Sequence, residues 1–510
     1  MRRWFALMLL TIVLFGVVTL RVAYVAGVWL REYDVDVRER TPRRRAYDWR
    51  ARKTGTLDPH PAPVSLLPQD APLDADLTVE RLVPKDANMG TLTRGPGSPS
   101  NDPGSWSMFR GDTRTNIAPP EEKLLQTWPP DGPEVLWARD LGVGHAGFAV
   151  RGGCVFIVDY NKEKREDTIR CLSLADGKEI WNYSYYVFIK NYHGITRTVA
   201  AVNDDYVVAL GPHCNVTCLR AKTGERVWHM DLVKEFGTVI PEWYAGQCPL
   251  IEGDRVILAP GGDPLMMAVR LADGEIVWKT PNPVPLANAS RQNRPWGMTH
   301  ASIMPMIHKG VRQYVYNTTR GVVGVRAADG KRLWQTEDWI VNTANVASPV
   351  VIDGERIFFA GGYKSGAAMF RLIGEGDAIA AQQIFRIRDD RVFSASQQTP
   401  ILYEGHLYGV IQRGELVCLS LDGEVLWSSG SSKRFGLGPF LLADGMLLVL
   451  NDENGALHLV EATSAAYRER AHAKVLDGRH AWAPMALVNG KLLLRDDTRM
   501  KCLRVGTREQ

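Results

Sequence analysis

The fold is decided by residues 171–181, CLSLADGKEIW. An alternating apolar run, an Asp-Gly turn and a short strand that closes on Trp181 predict a β-hairpin. The pattern returns as CLRAKTGERVW at 218–228, AVRLADGEIVW at 268–278, GVRAADGKRLW at 324–334 and CLSLDGEVLW at 418–427. One supersecondary unit repeated this often predicts a repeat architecture.

A second kind of hairpin precedes the first and completes the repeat. Clear copies lie at 246–262, 347–362, 398–412 and 438–452, where two apolar strands flank a Gly turn. The two hairpins together supply four antiparallel strands, and the units recur every 40 to 55 residues or so, which is the period of propeller blades. The first strands of eight such units lie near His145, His193, Tyr244, Met298, Ala344, Ala395, Leu437 and Ala481.

The last unit is one strand short, because the chain supplies only 481–487, 491–495 and 500–505 there. Residues 133–139, PEVLWAR, have the form of a closing strand that lacks the three strands before it. Pairing the two would close the ring and remove an exposed sheet edge. We therefore expect an all-β, eight-bladed β-propeller closed by an N-terminal strand. Seven blades remain an alternative, since 369–386 and 457–467 lack the standard Asp-Gly-to-Trp spacing.

Composition and cysteine usage fit this architecture. The chain has 510 residues, 45% of them hydrophobic, so it can bury a large core. Its formal net charge of +4 gives no ground for a nucleic-acid-binding surface. Among the seven cysteines, Cys171, Cys218, Cys418 and Cys502 fill the slot that Ala268 and Gly324 fill in sister units. We interpret them as small buried residues without disulfide partners.

The N-terminal region carries a membrane signal. Residues 4–30 are apolar except for Arg21 and would span about 40 Å as a helix, so we expect a transmembrane signal anchor after a short cytoplasmic segment, 1–3. A cleaved signal peptide is the alternative. Residues 31–105, first basic and then rich in Pro and Gly, are predicted to be a disordered linker. The propeller would occupy 106–505 on the extracytoplasmic side, with a tail at 506–510.

The small-Leu-x-x-x-Asp/Thr-Gly-x-x-x-Trp signature resembles the tryptophan-docking repeat of the quinoprotein alcohol dehydrogenase-like superfamily. The run WSMFRGDTRTN from Trp106 and the run WPPDGPEVLWARDLG from Trp128 are similar to bacterial PQQ-binding-like, BamB-like repeat proteins in particular. The resemblance covers about four fifths of the chain, from Trp106 to Arg504. It implies that the repeat tryptophans pack between blades: Trp137, Trp181, Trp228, Trp278, Trp334 and Trp427.

The dehydrogenases of that superfamily use pyrroloquinoline quinone (PQQ) with calcium and, in many members, a disulfide between adjacent cysteines. This chain has no adjacent cysteines, and no acidic and amide set aligns with a calcium site. We therefore expect no cofactor, no metal and no catalytic residue, with PQQ and calcium as the alternative. Detecting the repeat does not imply binding the cofactor.

The candidate ligand site is a polar and aromatic set at the start of the repeats, where the strands line the central channel. Ordinary packing is the competing interpretation of these side chains. The set is His145, His193, Trp243, Tyr244, Trp296, His300 and Trp482.

These features predict a non-catalytic, membrane-tethered scaffold that binds a protein partner or another ligand in the cell envelope. One alternative is a PQQ-dependent dehydrogenase that oxidises an alcohol or a sugar. A second alternative is a carbohydrate-binding propeller.

Overall fold

The computed structural model describes residues 90–189, 194–290, 293–376, 378–478 and 480–507. Strands form because apolar residues alternate between turns that contain Gly, and almost every turn joins neighbours in one antiparallel sheet. The described residues form eight sheets, and the predicted eight-bladed propeller is confirmed. The seven-blade alternative is wrong.

The strands of the first four blades run outward from the channel as follows. Blade 1 contains β3 (Ala149–Arg151), β4 (Cys154–Asn161), β5 (Glu166–Ser173) and β6 (Glu179–Tyr186). Blade 2 contains β7 (Ala201–Val202), β8 (Tyr206–Leu210), β9 (Asn215–Arg220) and β10 (Arg226–Asp231). Blade 3 contains β11 (Leu250–Glu252), β12 (Arg255–Leu258), β13 (Met266–Arg270) and β14 (Ile276–Thr280). Blade 4 contains β15 (Met304–His308), β16 (Val311–Thr318), β17 (Gly321–Arg326) and β18 (Arg332–Thr336).

The other four blades follow the same order. Blade 5 contains β19 (Val350–Val351), β20 (Arg356–Gly361), β21 (Gly366–Ile373) and β22 (Ala380–Ile387). Blade 6 contains β23 (Ile401–Tyr403), β24 (His406–Val410), β25 (Leu416–Ser420) and β26 (Val425–Ser428). Blade 7 contains β27 (Phe440–Ala443), β28 (Met446–Leu450), β29 (Ala456–Glu461) and β30 (Glu469–Lys474). Blade 8 contains β31 (Ala486–Val488), β32 (Lys491–Arg495), β33 (Arg499–Arg504) and β2 (Glu134–Asp140).

Blade 8 closes the ring in the predicted way. Strand β2 pairs antiparallel with β33, and Trp137 lies opposite Cys502. The last blade is thus built from both ends of the propeller sequence. The described helices are short: α1 (Leu232–Phe236) and one 3-10 turn (Leu286–Asn288).

Five of the six repeat tryptophans lie between blades. The indole Nε1–H of Trp181 donates to Ala221 O in the next blade at 3.1 Å, and that of Trp228 donates to Leu271 O at 2.9 Å. Trp137, Trp278 and Trp427 make the equivalent bond. The turn glycine of the next blade packs on the ring, since a Cβ on Gly330 would lie 2.4 Å from the Trp278 indole. Burying one such side chain contributes about 5 kcal/mol from apolar area.

Trp334 departs from this arrangement for a local reason. Blade 5 lacks the Asp-Gly turn on which this indole would dock. Gly324, directly opposite, leaves room for the ring to lie over its own blade, and Nε1–H donates to Gln313 Oε1 at 2.7 Å. In blade 5, Phe385 takes the tryptophan position and packs on Gly423 of blade 6.

Residues 90–105 differ from the predicted linker. Strand β1 (Thr91–Arg94) pairs with β6 and gives blade 1 a fifth strand. Ser100 N–H donates to Gly153 O at 3.0 Å, and Asp102 forms an ion pair with Lys491 of blade 8. The linker prediction is therefore wrong for 90–105, which is held on the propeller by strand β1, by the backbone of Ser100 and by the Asp102 side chain.

The predicted anchor, residues 4–30, and the rest of the predicted linker, 31–89, lie outside the described residues. Within the described ranges, no helix has the length and hydropathy needed to span a bilayer.

Candidate ligand site at the mouth of the central channel

The segments that lead into the innermost strands are joined from blade to blade by side chains. Val199 N–H donates to Cys248 Sγ at 3.2 Å, and Cys248 N–H donates to Ser302 Oγ at 3.0 Å. The chain of bonds continues from Ser302 N–H to Ser348 Oγ and from Ser348 N–H to Thr399 Oγ1, both at 2.9 Å. A small polar side chain at one position per blade thus satisfies a backbone donor that has no strand partner. These bonds fix the wall of the channel in blades 2 to 6.

One group of side chains at the channel mouth comes from blades 7, 8 and 1. The Trp482 ring lies 4.7 Å from the His145 ring and 4.8 Å from the His480 ring, measured between centroids. Its Nε1–H donates to Asp452 Oδ2, while Leu437 N–H donates to Asp452 Oδ1 at 2.9 Å. Burial raises the pKa of Asp452, although both donors oppose the shift. The carboxylate is therefore engaged within the protein.

A second group comes from blades 2, 3 and 4. Arg197 Nε–H donates to Trp243 O at 2.6 Å, and the Trp243 and His300 rings lie 6.3 Å apart. Burial, reinforced by the Arg197 charge, lowers the pKa of His300 to about 4, so the imidazole is neutral at pH 7. Trp243 and Tyr244 have consecutive positive φ values of 68° and 72°. Left-handed backbone in a bulky residue costs about 1 to 3 kcal/mol, and residues with this strain are found most often at functional sites.

Not every predicted residue reaches the mouth. Trp296 is 1% exposed, and its backbone is held on both sides by Asn282. The prediction that Trp296 lines a ligand site is therefore wrong, because its indole is part of the core between blades 3 and 4. His193 lies outside the described residues. The structure brings the other five together in two groups, as described above: His145, Trp243, Tyr244, His300 and Trp482.

Below the mouth, the channel is crossed by residues 106–118, a segment we call the plug. Trp106 pairs with Val150 of blade 1, and Ser107 O accepts from Val202 N–H of blade 2. On the other side of the ring, Asn116 Nδ2–H donates to Phe440 O of blade 7. The WSMFRGDTRTN run, which the sequence indicated only as the start of the domain, thus bonds to the innermost strands of several blades.

Two plug arginines supply donors to the inner edges of the blades. Arg110 donates from Nη1 to Thr399 O at 2.8 Å and from Nη2 to Pro400 O at 2.9 Å. Arg114 donates from Nη1 to Pro249 O at 3.3 Å. A guanidinium has five N–H groups, which suits a ring of strand edges with exposed carbonyls. Burial lowers the pKa of Arg110 to about 9 and that of Arg114 to about 10, so both carry charge at pH 7.

The mouth therefore offers indole and imidazole faces, the Arg197 guanidinium and a carboxylate that is already bonded. Such a set can stack on a flat ring or pair with an anionic group. It does not fit a calcium-held quinone, because Asp452 is committed to Trp482 and Leu437, and burial disfavours its charged form. Within the described ranges, the only three side chains grouped as metal ligands, His458, Glu469 and His472, lie on outer strands of blade 7.

Residues 165–427 match the family model described as outer membrane protein assembly factor BamB, over more than half of the chain. No curated protein sequence is significantly similar to the chain.

Several solved structures share the fold. The quinohemoprotein alcohol dehydrogenase from Comamonas testosteroni has a TM-score of 0.57 and 12% identity over 80% of this chain and 81% of that chain. For the quinohemoprotein alcohol dehydrogenase ADHIIG from Pseudomonas putida HK5, the TM-score is 0.55 and the identity 12%, with the same coverage. BamB from Moraxella catarrhalis has a TM-score of 0.49 and 14% identity over 73% of this chain and 99% of that chain. Identities this low show the fold alone.

Proposed function

The chain belongs to the family of the outer membrane protein assembly factor BamB, within the quinoprotein alcohol dehydrogenase-like propellers, and from that premise we propose that it is a non-catalytic scaffold in the cell envelope. Its partner is an extended segment of another protein, which adds a strand to the outer edge of blade 5. The observation that carries the proposal is the exposed edge of β22, whose first six residues carry no charge.

Strand β22 differs from the outer strands of the other blades. All eight residues are at least partly exposed, and the first six, AAQQIF, carry no charge. Ile384 is 48% exposed, and Ile373 on the adjacent β21 is also exposed. Within the described ranges, nothing pairs with the outer side of β22. Edge strands are usually protected by lysine, proline or inward charges, and an unprotected edge is a template for another strand.

Blade 1 provides an example of strand addition at the outer edge of a blade within the same molecule. Its outer strand β6 pairs with β1 in antiparallel register from Thr91 opposite Ser184 to Arg94 opposite Trp181. The outer edge of a blade in this ring can therefore accept an extended segment that is not part of the four-stranded repeat. Strand addition draws affinity from main-chain hydrogen bonds and specificity from alternate side chains. On β22, Ile384 would supply the apolar contact.

A site-specific photocrosslinker tests the binding surface in the full-length, membrane-associated protein. We expect a crosslinker at position 384 to capture one envelope protein, and the Ile384→Lys substitution to reduce its co-purification at least tenfold. The matched control is Val277→Lys on outer strand β14 of blade 3, because Val277 is also apolar and its exposed fraction of 44% is close to the 48% of Ile384. With purified partner, amide exchange should slow in β22.

Three outcomes would overturn this assignment. Capture that Ile384→Lys leaves unchanged would remove β22 from the interface. A crosslink to residues 1–89 of the same chain would make β22 an intramolecular docking site, as β6 is for β1. Dye-linked oxidation of an alcohol or a sugar after addition of PQQ and calcium would establish the dehydrogenase alternative.

The proposed location has the propeller on the extracytoplasmic side, anchored by residues 4–30. The apolar run supports it, with Trp4 and Phe5 near one end and Tyr24 and Trp29 near the other, where interfacial aromatics are expected. A reporter fused after Gln510 distinguishes the two sides of the membrane. Alkaline phosphatase activity is expected, and fluorescence of a cytoplasmic-only reporter would contradict the proposal.

A further inference from the structure

Blade 7 carries a group of potential metal ligands outside the channel. His458 on β29 and His472 on β30 lie directly opposite each other, with ring centroids 5.5 Å apart and planes inclined by 22°. Side chains normally alternate between the two faces of a strand, so Glu469, three residues before His472, would point to the other face. A bulge at Leu459 and Val460 inserts one extra residue into β30 and returns Glu469 to the histidine face.

We propose that His458, Glu469 and His472 bind a divalent transition-metal ion of the Zn²⁺ type. Glu469 Oε2 lies 3.3 Å from His458 Nδ1, and Glu469 Oε1 lies 2.8 Å from His472 Nδ1. The three ligand atoms all fall within 4.8 Å of one another. Ligand atoms about 2.0–2.1 Å from a tetrahedral zinc lie about 3.3 Å apart, and two histidines with one glutamate form a known three-ligand set with a fourth position free.

Neighbouring groups hold two of the three ligands, Glu469 and His458, in place. Tyr467 O–H donates to Glu469 Oε2 at 2.7 Å, which is the kind of outer contact that orients a ligating carboxylate. The Phe435 ring stands edge-on to His458, 5.0 Å away.

Lys433 competes with the metal for Glu469. Its Nζ lies 3.2 Å from Oε2 and 3.3 Å from Oε1, so the ammonium supplies the counter-charge in the absence of an ion. Its side chain is 46% exposed and can move into solvent. Removing this ammonium should therefore strengthen metal binding, whereas an ordinary surface ion pair would show no such response.

The test measures Zn²⁺ binding to the purified full-length chain by titration calorimetry and Co²⁺ binding by absorption spectroscopy. We expect one ion per chain, at least tenfold weaker binding for His472→Ala and for Glu469→Gln, and several-fold tighter binding for Lys433→Met. His406→Ala on β24 of blade 6 is the matched control and should bind as the wild type does. Circular dichroism establishes that each variant is folded.

Three results would overturn the proposal. The first is the absence of stoichiometric binding to the wild type. The second is binding that His472→Ala and Glu469→Gln leave unchanged, which would place the ion elsewhere. The third is binding seen only with Lys433→Met, because Lys433 would then be the permanent partner of Glu469. None of these results depends on the partner-binding role of β22.

Discussion

Asp167 should make the stability of the propeller fall as the pH rises. The carboxyl lies on β5 in blade 1, is 1% exposed and accepts a hydrogen bond from Tyr185 O–H on β6. Its Oδ1 has no hydrogen-bond donor among the described residues. Burial raises the pKa of Asp167 to about 7, against an ordinary value of 3.8, and the Tyr185 hydroxyl only partly offsets this. The folded protein therefore holds a proton that the unfolded chain releases.

The sign and size of the effect follow from that difference. Below pH 3.8 both states are protonated and Asp167 costs nothing. Between about pH 4 and 7 the unfolded state gains by ionising while the folded state does not, so the free energy of unfolding falls by up to about 4 kcal/mol. Between pH 5 and pH 8 the fall is about 2.5 kcal/mol. That is a sizeable share of a typical stability of about 5–15 kcal/mol.

The Asp167→Asn substitution isolates this contribution, because the amide keeps the shape and an acceptor for Tyr185 but does not titrate. Denaturant unfolding followed by tryptophan fluorescence should show the variant gaining about 2.5 kcal/mol over the wild type between pH 5 and pH 8. Tyr185→Phe removes a group that lowers the Asp167 pKa, so in that variant the loss of stability should continue to higher pH. Parallel pH profiles for wild type and Asp167→Asn would refute the reasoning.

Three further predictions concern the plug, a turn and the mouth. Arg110→Met leaves the Thr399 and Pro400 carbonyls without their donor and should lower the free energy of unfolding, measured with denaturant, by about 3 kcal/mol. An unchanged free energy of unfolding would mean that the cost of burying the Arg110 charge equals the gain from its hydrogen bonds. Gly330→Ala places a Cβ 2.4 Å from the Trp278 ring, whereas Gly253→Ala meets nothing within 4 Å, so the first should lower the unfolding free energy by about 2 kcal/mol more than the second. The free energy of unfolding should rise between about pH 4 and 6.5, because the buried His300 imidazole takes up its proton only near pH 4 while the unfolded chain does so near 6.5. His300→Gln should make this rise smaller. A rise equal to that of the wild type would contradict the prediction.

The propeller could be predicted from the sequence because its signals are local. An Asp-Gly turn, an alternating strand and a closing Trp all lie within eleven residues such as 171–181, and their repetition indicates the repeat architecture. The first strands of the eight units give the number of blades. Strand β2 could be predicted as the closing strand because the three strands that normally precede a repeat tryptophan are missing before Trp137. The repeat pattern gave the wrong environment for Trp296, because the position of this residue in the core depends on Asn282 in a loop that is not part of the repeat.

Other features depend on contacts between distant residues and left no periodic signal. Arg110 bonds to Thr399 and Pro400, nearly three hundred positions away, and a single sequence does not indicate that pairing. The grouping of Glu469 with His458 and His472 depends on a one-residue bulge. The composition of 90–105 suggested a linker, but its backbone bonds to blade 1 and the Asp102 side chain bonds to blade 8. Loop-like composition did not predict this docking.

Ring closure also sets the order in which the molecule can be completed during synthesis. The strand that finishes blade 8, β2, leaves the ribosome before seven blades exist, while its partner β33 ends at Arg504, near the end of the chain. The plug is made earlier still, and its hydrogen-bond partners on blades 1, 2, 3, 6 and 7 are all made after it. Until the last three strands appear, the nascent ring has two open edges, at blade 1 and at blade 7, and is at its most vulnerable to aggregation. Translation that stops before residue 486 leaves β2 without a sheet, so a closed ring requires that synthesis has passed the strands of blade 8.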